Sequence, residues 1–274
     1  MEKIIESTHN PAKGHNRIVS KEEWILERKE LLKKEKELTR LNDKLSQERR
    51  ELPWVRVEKP YVFEGPDGKY TLSDLFQGRS QLIVYHFMLG PGWIEGCVGC
   101  SFVSDHVDAA RIHFENKDLS FAAVSRAPLA EIEAFKKRMG WSFKWVSSYG
   151  SDFNFDYHVS FTEEEIKKGK GYYNFDFVDV HEEERPGASV FFKDETGNIF
   201  HTYSTYERGL EKLLSTYMFL DWAPKGRNEP QDGSGLTSWV RHHDRYKNEG
   251  YVDSNGRYHS QEADSCCGSK MESK

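Results

Sequence analysis

No stretch of the 274-residue chain approaches the roughly 20 apolar residues that a bilayer-spanning helix requires, so no membrane partner is expected. The N-terminal run Met1-Glu2-Lys3-Ile4-Ile5-Glu6-Ser7 lacks a hydrophobic export core and a cleavage pattern. A basic excess is missing too. The formal net charge is −6, with acids and bases mixed along the chain, which argues against a nucleic-acid binder held by phosphate contacts. Neither a dinucleotide glycine fingerprint nor a phosphate loop is present, and no cofactor is expected. Cysteine is scarce. The four in the chain, at Cys97, Cys100, Cys266 and Cys267, do not make a secreted disulfide framework. Together these absences point to a cytoplasmic protein. In a reducing compartment a Cys-x-x-Cys pair is more often catalytic or metal-binding than structural.

What is present begins with that pair. Gly96-Cys97-Val98-Gly99-Cys100 follows the apolar run Gln81-Leu82-Ile83-Val84-Tyr85-His86-Phe87 and precedes a helical pattern. Strand, loop, then Cys-x-x-Cys opening a helix suits thiol–disulfide chemistry. Unpaired N–H groups and the helix dipole favour the thiolate of the first cysteine. The two-residue spacing lets the second sulfur reach the first. Cys97, nearer the helix start, is therefore the expected attacking thiolate, and Cys100, a turn inward, the resolving one.

The rest of the chain frames this pair. Residues 1–19 read as a polar arm. Ser20 and Glu23 have capping-box spacing and Pro53 marks a stop, which predicts a long helix over 20–52. Trp24, Leu31, Leu38, Leu45 and Leu52 recur at every seventh position, joined by Leu32 and Leu41, while Glu27, Lys34 and Glu48 occupy the alternate seam. Such a stripe fits a helix lying on its own domain, a homodimer through residues 20–52, or a solvated helix. Residues 53–224 alternate strand and helix patterns, and 225–274 form a polar C-terminal extension.

Within 53–224, Gly65-Pro66-Asp67-Gly68 predicts a hairpin between Tyr61–Glu64 and Lys69–Thr71. Leu82–Phe87, Leu119–Val124 and Phe143–Val146 read as buried strands. A helix is expected after the cysteines to about Glu115, and another from Pro128 to Gly140. The charged stretch Ser160–Glu184 reads as an insertion or a long loop. Asp194-Glu195-Thr196-Gly197-Asn198 predicts a second hairpin, between Ala188–Phe192 and Ile199–Tyr203, and Leu210, Leu213, Leu214 and Tyr217 mark a last helix. The order βαβαβ, ββ, α predicts an α/β fold with a mixed sheet covered on both faces, matching the thioredoxin-like architecture.

Several longer stretches carry a closer resemblance. They are Trp54-Val55-Arg56-Val57-Glu58-Lys59, Gln81 to Met88, Ser101-Phe102 after Cys100, Val124-Ser125-Arg126-Ala127-Pro128-Leu129, Gly140-Trp141, Ser148 to Asn154 and His201 to Gly209. Over roughly Val19 to Arg227 the chain resembles the thioredoxin-like family of domain of unknown function 899, whose members are labelled predicted dithiol–disulfide oxidoreductases. The resemblance implies a redox-active disulfide formed by Cys97 and Cys100. Thioredoxin itself has a tryptophan before the first cysteine and a proline between the pair; here Gly96 and Val98-Gly99 stand there. Thioredoxins also place a cis-proline before the hairpin strand, where this chain has Arg185-Pro186-Gly187-Ala188-Ser189. Peroxiredoxins use a hydroxyl residue three positions before the attacking cysteine; here that residue is Ile94 before Cys97 and Trp93 before Cys100.

Trp93, Arg126, Pro186 and Ser189 are the candidate substrate-binding residues, Trp93 reading equally well as core. Glu95 and Asp105 flank the pair; turned inward they would raise the thiol pKa, but they read rather as solvated, with Glu95 placed by the charge preference of a helix N-terminus. His86 and His106 are candidate bases or ligands, each weighed against an ordinary hydrogen-bonded histidine. A metal site would use Cys97, Cys100 and His106, with no local fourth ligand. His242-His243 reads as surface. The aromatic run Tyr149–Tyr157 and the segment His201–Arg208 are either groove walls or core and a helix cap. Cys266-Cys267-Gly268 could exchange with a Cys97–Cys100 disulfide or be an ordinary polar end. The expected partner is a protein or small-molecule disulfide or thiol. The alternative is a non-catalytic thioredoxin-like module that binds partners.

Overall fold

A computed structural model describes residues 16–227, 237–246, 251–252 and 258–259. It divides into two compact units, Met1–Leu52 with Leu220–Asn228, and Pro53–Phe219 with Glu229–Lys274. Most of the expected arm at 1–19 and all of Cys266-Cys267-Gly268 lie outside the described residues.

In the first unit, helix α1 runs over Lys21–Glu51. Ser20 caps it, its side chain accepting the Glu23 N–H at 3.1 Å, and acids in the first turn with arginines in the last complement the helix dipole. No residue of α1 is buried. Trp24, Leu31 and Leu38 remain 57%, 52% and 59% exposed, so the apolar stripe is an open face.

The second unit is built on an eight-stranded sheet. In chain order its strands are β1 (Val55–Arg56), β2 (Val62–Gly65), β3 (Gly68–Thr71), β4 (Gln81–His86), β5 (Leu119–Ser125) and β6 (Lys144–Ser147), followed by two more after a small separate hairpin. That hairpin is β7 (Lys170–Tyr173) with β8 (Asp176–Asp179); the sheet then resumes with β9 (Gly187–Lys193) and β10 (Ile199–Tyr206). The spatial order is β1-β10-β9-β4-β5-β6-β2-β3. β4 lies at the centre, parallel to β5 and antiparallel to β9. Helices α2 (Val98–Asp105), α3 (Val107–Glu115) and α4 (Leu129–Met139) make the crossovers between the parallel strands. This is the thioredoxin-like mixed sheet flanked by helices.

Both faces of β4 are covered, so it reads as a nearly continuous apolar run. Leu82 and Val84 pack with Phe63, Leu75, Phe76, Phe153 and Phe191 on one side. Tyr85 and Phe87 meet each other, Phe121, Trp141 and Trp145 on the other. Each such buried side chain contributes about 1.5–3 kcal/mol, far more than a surface ion pair.

Three elements depart from expectation. The helix after the cysteines is broken in two at His106. Its Nδ1 donates to the Phe102 carbonyl at 2.6 Å and Nε2 faces Thr216 Oγ1 at 2.7 Å, so a side-chain bond competes with the helical ladder. The charged stretch 160–184 is structured. It holds the helix Glu163–Lys168, closed by a Thr162/Glu165 capping box and a left-handed Gly169, and then the β7–β8 hairpin. Phe161, Tyr173, Val180 and Tyr206 give this hairpin a core of its own. The last helix opens as a 3₁₀ segment, Glu207–Leu213, before α-helical Ser215–Trp222.

Candidate functional site

β4 delivers the chain to the carboxyl end of the sheet, where Phe87 N–H still bonds the Val124 carbonyl at 3.0 Å. The loop then returns: the Cys97 N–H donates to the Met88 carbonyl at 3.0 Å. Gly96 is required at this return. A β-carbon there would stand 2.5 Å from Phe87 Cε1 and 2.7 Å from Phe135 Cε1. Cys97 takes the N-cap position of α2 in an extended conformation, and its carbonyl accepts the Ser101 N–H and hydroxyl, each at 2.9 Å.

The two sulfurs differ in setting. Cys97 is partly exposed and Cys100 is buried, and both are free thiols. The Cys100 thiol donates toward the Cys97 sulfur and, with the backbone N–H groups of Cys100 and Gly99, lowers the Cys97 pKa to about 7 against the opposing effects of burial and Glu182. Burial, together with the Cys97 sulfur, pushes the Cys100 thiol well up. The Tyr85 hydroxyl and the Met88 N–H, which reaches Cys100 Sγ at 3.5 Å, act the other way and favour its thiolate. An exposed sulfur of low pKa beside a buried one of high pKa is the division a nucleophile and a resolving thiol need.

The flanking carboxylates are turned to cations and donors. Glu95 pairs with Arg138 at 2.9 Å and with Arg245. Asp105 Oδ1 accepts from Trp141 Nε1 at 2.8 Å and from His243 Nδ1 at 2.7 Å. The carboxylate that opposes Cys97 ionisation is instead Glu182, from the segment after β8.

Other expected site residues land differently. Trp93 folds over its own turn, its N–H bonding the Gly90 carbonyl and its indole lying where a Gly90 β-carbon would be. The apolar side chain offered to solvent is Ile94, 94% exposed. Arg126 is occupied: its Nε meets the buried Glu184 at 2.6 Å, and its guanidinium stacks on Phe155. Pro186 precedes β9, whose Gly187 pairs with His86, so it sits at the sheet end that carries the cysteines, and its carbonyl accepts the Tyr173 hydroxyl at 2.7 Å. Its peptide bond is trans.

Ser189 is a correction. It is fully buried, bonding His86 Nε2 at 2.9 Å and Ser204 Oγ at 2.9 Å, so a substrate outside the sheet does not reach it. Ser204 continues to the half-buried His201 at 2.7 Å, making a chain across three strands. His86 is no base at neutral pH, because burial and then His201 lower its pKa to about 3. His106, tied to Phe102 and Thr216, does not turn to the sulfurs. Among the described residues no three His, Cys, Asp or Glu side chains cluster as metal ligands do, and no helix is long and apolar enough to cross a membrane.

The largest feature the sequence hid is a strap. Residues 237–246 lie along the cysteine turn and α2. His242, 3% exposed, donates from Nε2 to the Gly96 carbonyl at 3.0 Å, so it is not a surface residue. Arg138 bonds Asp244 at 2.8 and 2.9 Å, Trp239 meets Phe102 with ring centroids 5.8 Å apart, and Val240 is 1% exposed. The point where a Gly99 β-carbon would sit is 3.5 Å from Thr237 and 3.7 Å from Cys97 Sγ.

Among solved structures the chain is similar to a mutant PrxQ of Xylella fastidiosa, with 16% identity, 59% of this chain and 89% of that chain covered and a TM-score of 0.36. It is similar to the peroxidoxin BcpB of Mycobacterium tuberculosis at 13% identity, covering 60% and 95%, with a TM-score of 0.36. For the mitochondrial 2-Cys peroxiredoxin of Plasmodium falciparum the figures are 14%, 66%, 96% and 0.35. At that level these likenesses assign neither activity nor residues to this chain. No curated protein matches it. The match to the bacterial protein family of unknown function DUF899 spans residues 13–246, passing the Val19–Arg227 stretch and taking in the strap, and the chain belongs to that family.

Proposed function

We propose that the protein is a thiol–disulfide oxidoreductase of a reducing compartment such as the cytoplasm, with Cys97 attacking and Cys100 resolving. The carrying observation is the Cys97 sulfur, partly exposed at the start of α2 with a pKa lowered to about 7 by the buried thiol behind it. Near neutral pH about half of such a sulfur is thiolate.

The Cys97 thiolate attacks one sulfur of a disulfide R–S–S–R′. A Cys97–S–R bond forms, and R′–S⁻ leaves and takes up a proton from solvent. Cys100 loses its proton, its thiolate supported by the Tyr85 hydroxyl and the Met88 N–H. It attacks Cys97 Sγ; R–S⁻ leaves and an internal disulfide remains. An external protein or small-molecule thiol, oxidised in exchange, restores the dithiol. Trp93 and Pro186 flank the proposed substrate, with Ile94 adding the exposed apolar contact. Ile94 also stands where a peroxide-binding hydroxyl would be needed, which favours a disulfide over a peroxide as oxidant.

A reduction assay on wild type and Cys97→Ser tests the reading. Turnover of bis(2-hydroxyethyl) disulfide by wild type and its loss in the variant are expected; background rates in both would leave a non-catalytic partner-binding module. For the stripe of α1 a second copy of the chain is the proposed partner, because its leucines recur at heptad spacing. Sedimentation should show a dimer that Leu38→Lys dissociates; a wild-type monomer would refute it.

A further inference from the structure

We propose that the strap 237–246 is a size filter on the redox site, restricting Cys97 to slender, low-molecular-weight disulfides and excluding those held in folded proteins. The inference rests on the oxidoreductase reading above and names its substrate class.

A disulfide exchange needs the attacking sulfur, the central sulfur and the leaving sulfur nearly in line, so the disulfide must come end-on to Cys97 with room behind it for the leaving thiol. Thr237 closes on the turn from one side, sharing the space beside Gly99 with the Cys97 sulfur. The charge of Glu182 bears on the same sulfur from the segment after β8. Ile94 stands out from the loop before the pair. A narrow molecule fits such an opening, whereas a protein disulfide brings two flanking strands or loops that meet the strap first.

The strap is fastened as a built element. Val240 is buried, His242 holds the carbonyl next to Cys97, and Arg245 closes on Glu95. Arg245 is half exposed, so its ion pair adds little to global stability. Its partner Glu95 is also held by Arg138, so the latch can be opened while that carboxylate keeps a cation.

The test compares bis(2-hydroxyethyl) disulfide with insulin in wild type, Arg245→Glu and Val240→Asp. Trp239 fluorescence and limited proteolysis within the strap report whether it has lifted. Wild type should turn over the small disulfide with kcat/KM at least about tenfold above that for insulin disulfides. Lifting the strap should raise the insulin rate by about tenfold and leave the small-disulfide rate within about twofold. An unchanged ratio in a variant whose strap has lifted overturns the filter while the redox reading stands. A strap that stays down in both variants overturns the latch, and with it the proposal. Background rates on the small disulfide in wild type overturn the redox reading and the filter together.

Discussion

Tyr85 and His86 are neighbours on β4, each 1% exposed, and they face opposite sides of the sheet. Tyr85 looks toward Cys100 and its hydroxyl helps that sulfur ionise. His86 looks toward Phe153 and Tyr157 and bonds Ser189. Tyr85 and His86 are equally dry, yet the sulfur side keeps a thiol whose pKa is about 7, whereas His86 is held neutral down to about pH 3. The difference lies in partners. Cys97 is stabilised as an anion by a thiol and by N–H groups at a helix start. No hydrogen-bond partner for His86 Nδ1 is present among the described residues, and burial, with a smaller contribution from His201, keeps it neutral.

The sharpest way to break this comparison is Cys97→Ser. Disulfide turnover should fall to background, and Cys100→Ser should instead accumulate a mixed disulfide at Cys97, seen by mass spectrometry. Turnover that survives Cys97→Ser would remove the sulfur side from the function.

The second effect is on stability. The unfolded chain protonates His86 below about pH 6.5, while the folded chain holds it neutral down to about pH 3. Its contribution is complete above pH 6.5 and is lost as the pH falls, at a slope of up to about 1.4 kcal/mol per unit. Urea unfolding at stepped pH should show this slope, and His86→Gln should flatten it without changing Cys97 alkylation. An identical slope in the variant would mean the histidine side is not silenced as described.

Ser189→Ala should cost about 1–3 kcal/mol by leaving buried polar atoms unpaired, with KM for small disulfides unchanged. A raised KM would return Ser189 to the substrate. The smallest effect expected is from Tyr85→Phe. Loss of a hydrogen bond to the ionised Cys100 should slow resolution by about tenfold, read as mixed-disulfide decay, and leave Cys97 alkylation within about twofold.

Much of the sheet was legible because its signals are local. The apolar run ending at Phe87, the Gly65-Pro66-Asp67-Gly68 turn and the Asp194–Asn198 turn, where Asp194 gathers the N–H groups of Thr196 and Asn198, each act within a few residues. The helix Glu163–Lys168 carried equally local signals in its Thr162/Glu165 box and its Glu163–Lys167 and Glu164–Lys168 pairs, but the charge of the stretch outweighed them. The strap had no such signal. His242 and Asp244 find Gly96 and Arg138 across more than a hundred residues, and neither spacing nor hydrophobic period announces that contact. The two cysteines were legible as a pair, whereas their unequal burial and the Tyr85 hydroxyl belong to tertiary packing.

The most direct test of the whole account is the pH dependence of Cys97 alkylation by iodoacetamide in the reduced protein, followed site by site. The account predicts a midpoint near pH 7, with Cys100 unmodified through that range. A midpoint at or above the free-thiol value of about 8.5, or faster labelling of Cys100 than of Cys97, would contradict it.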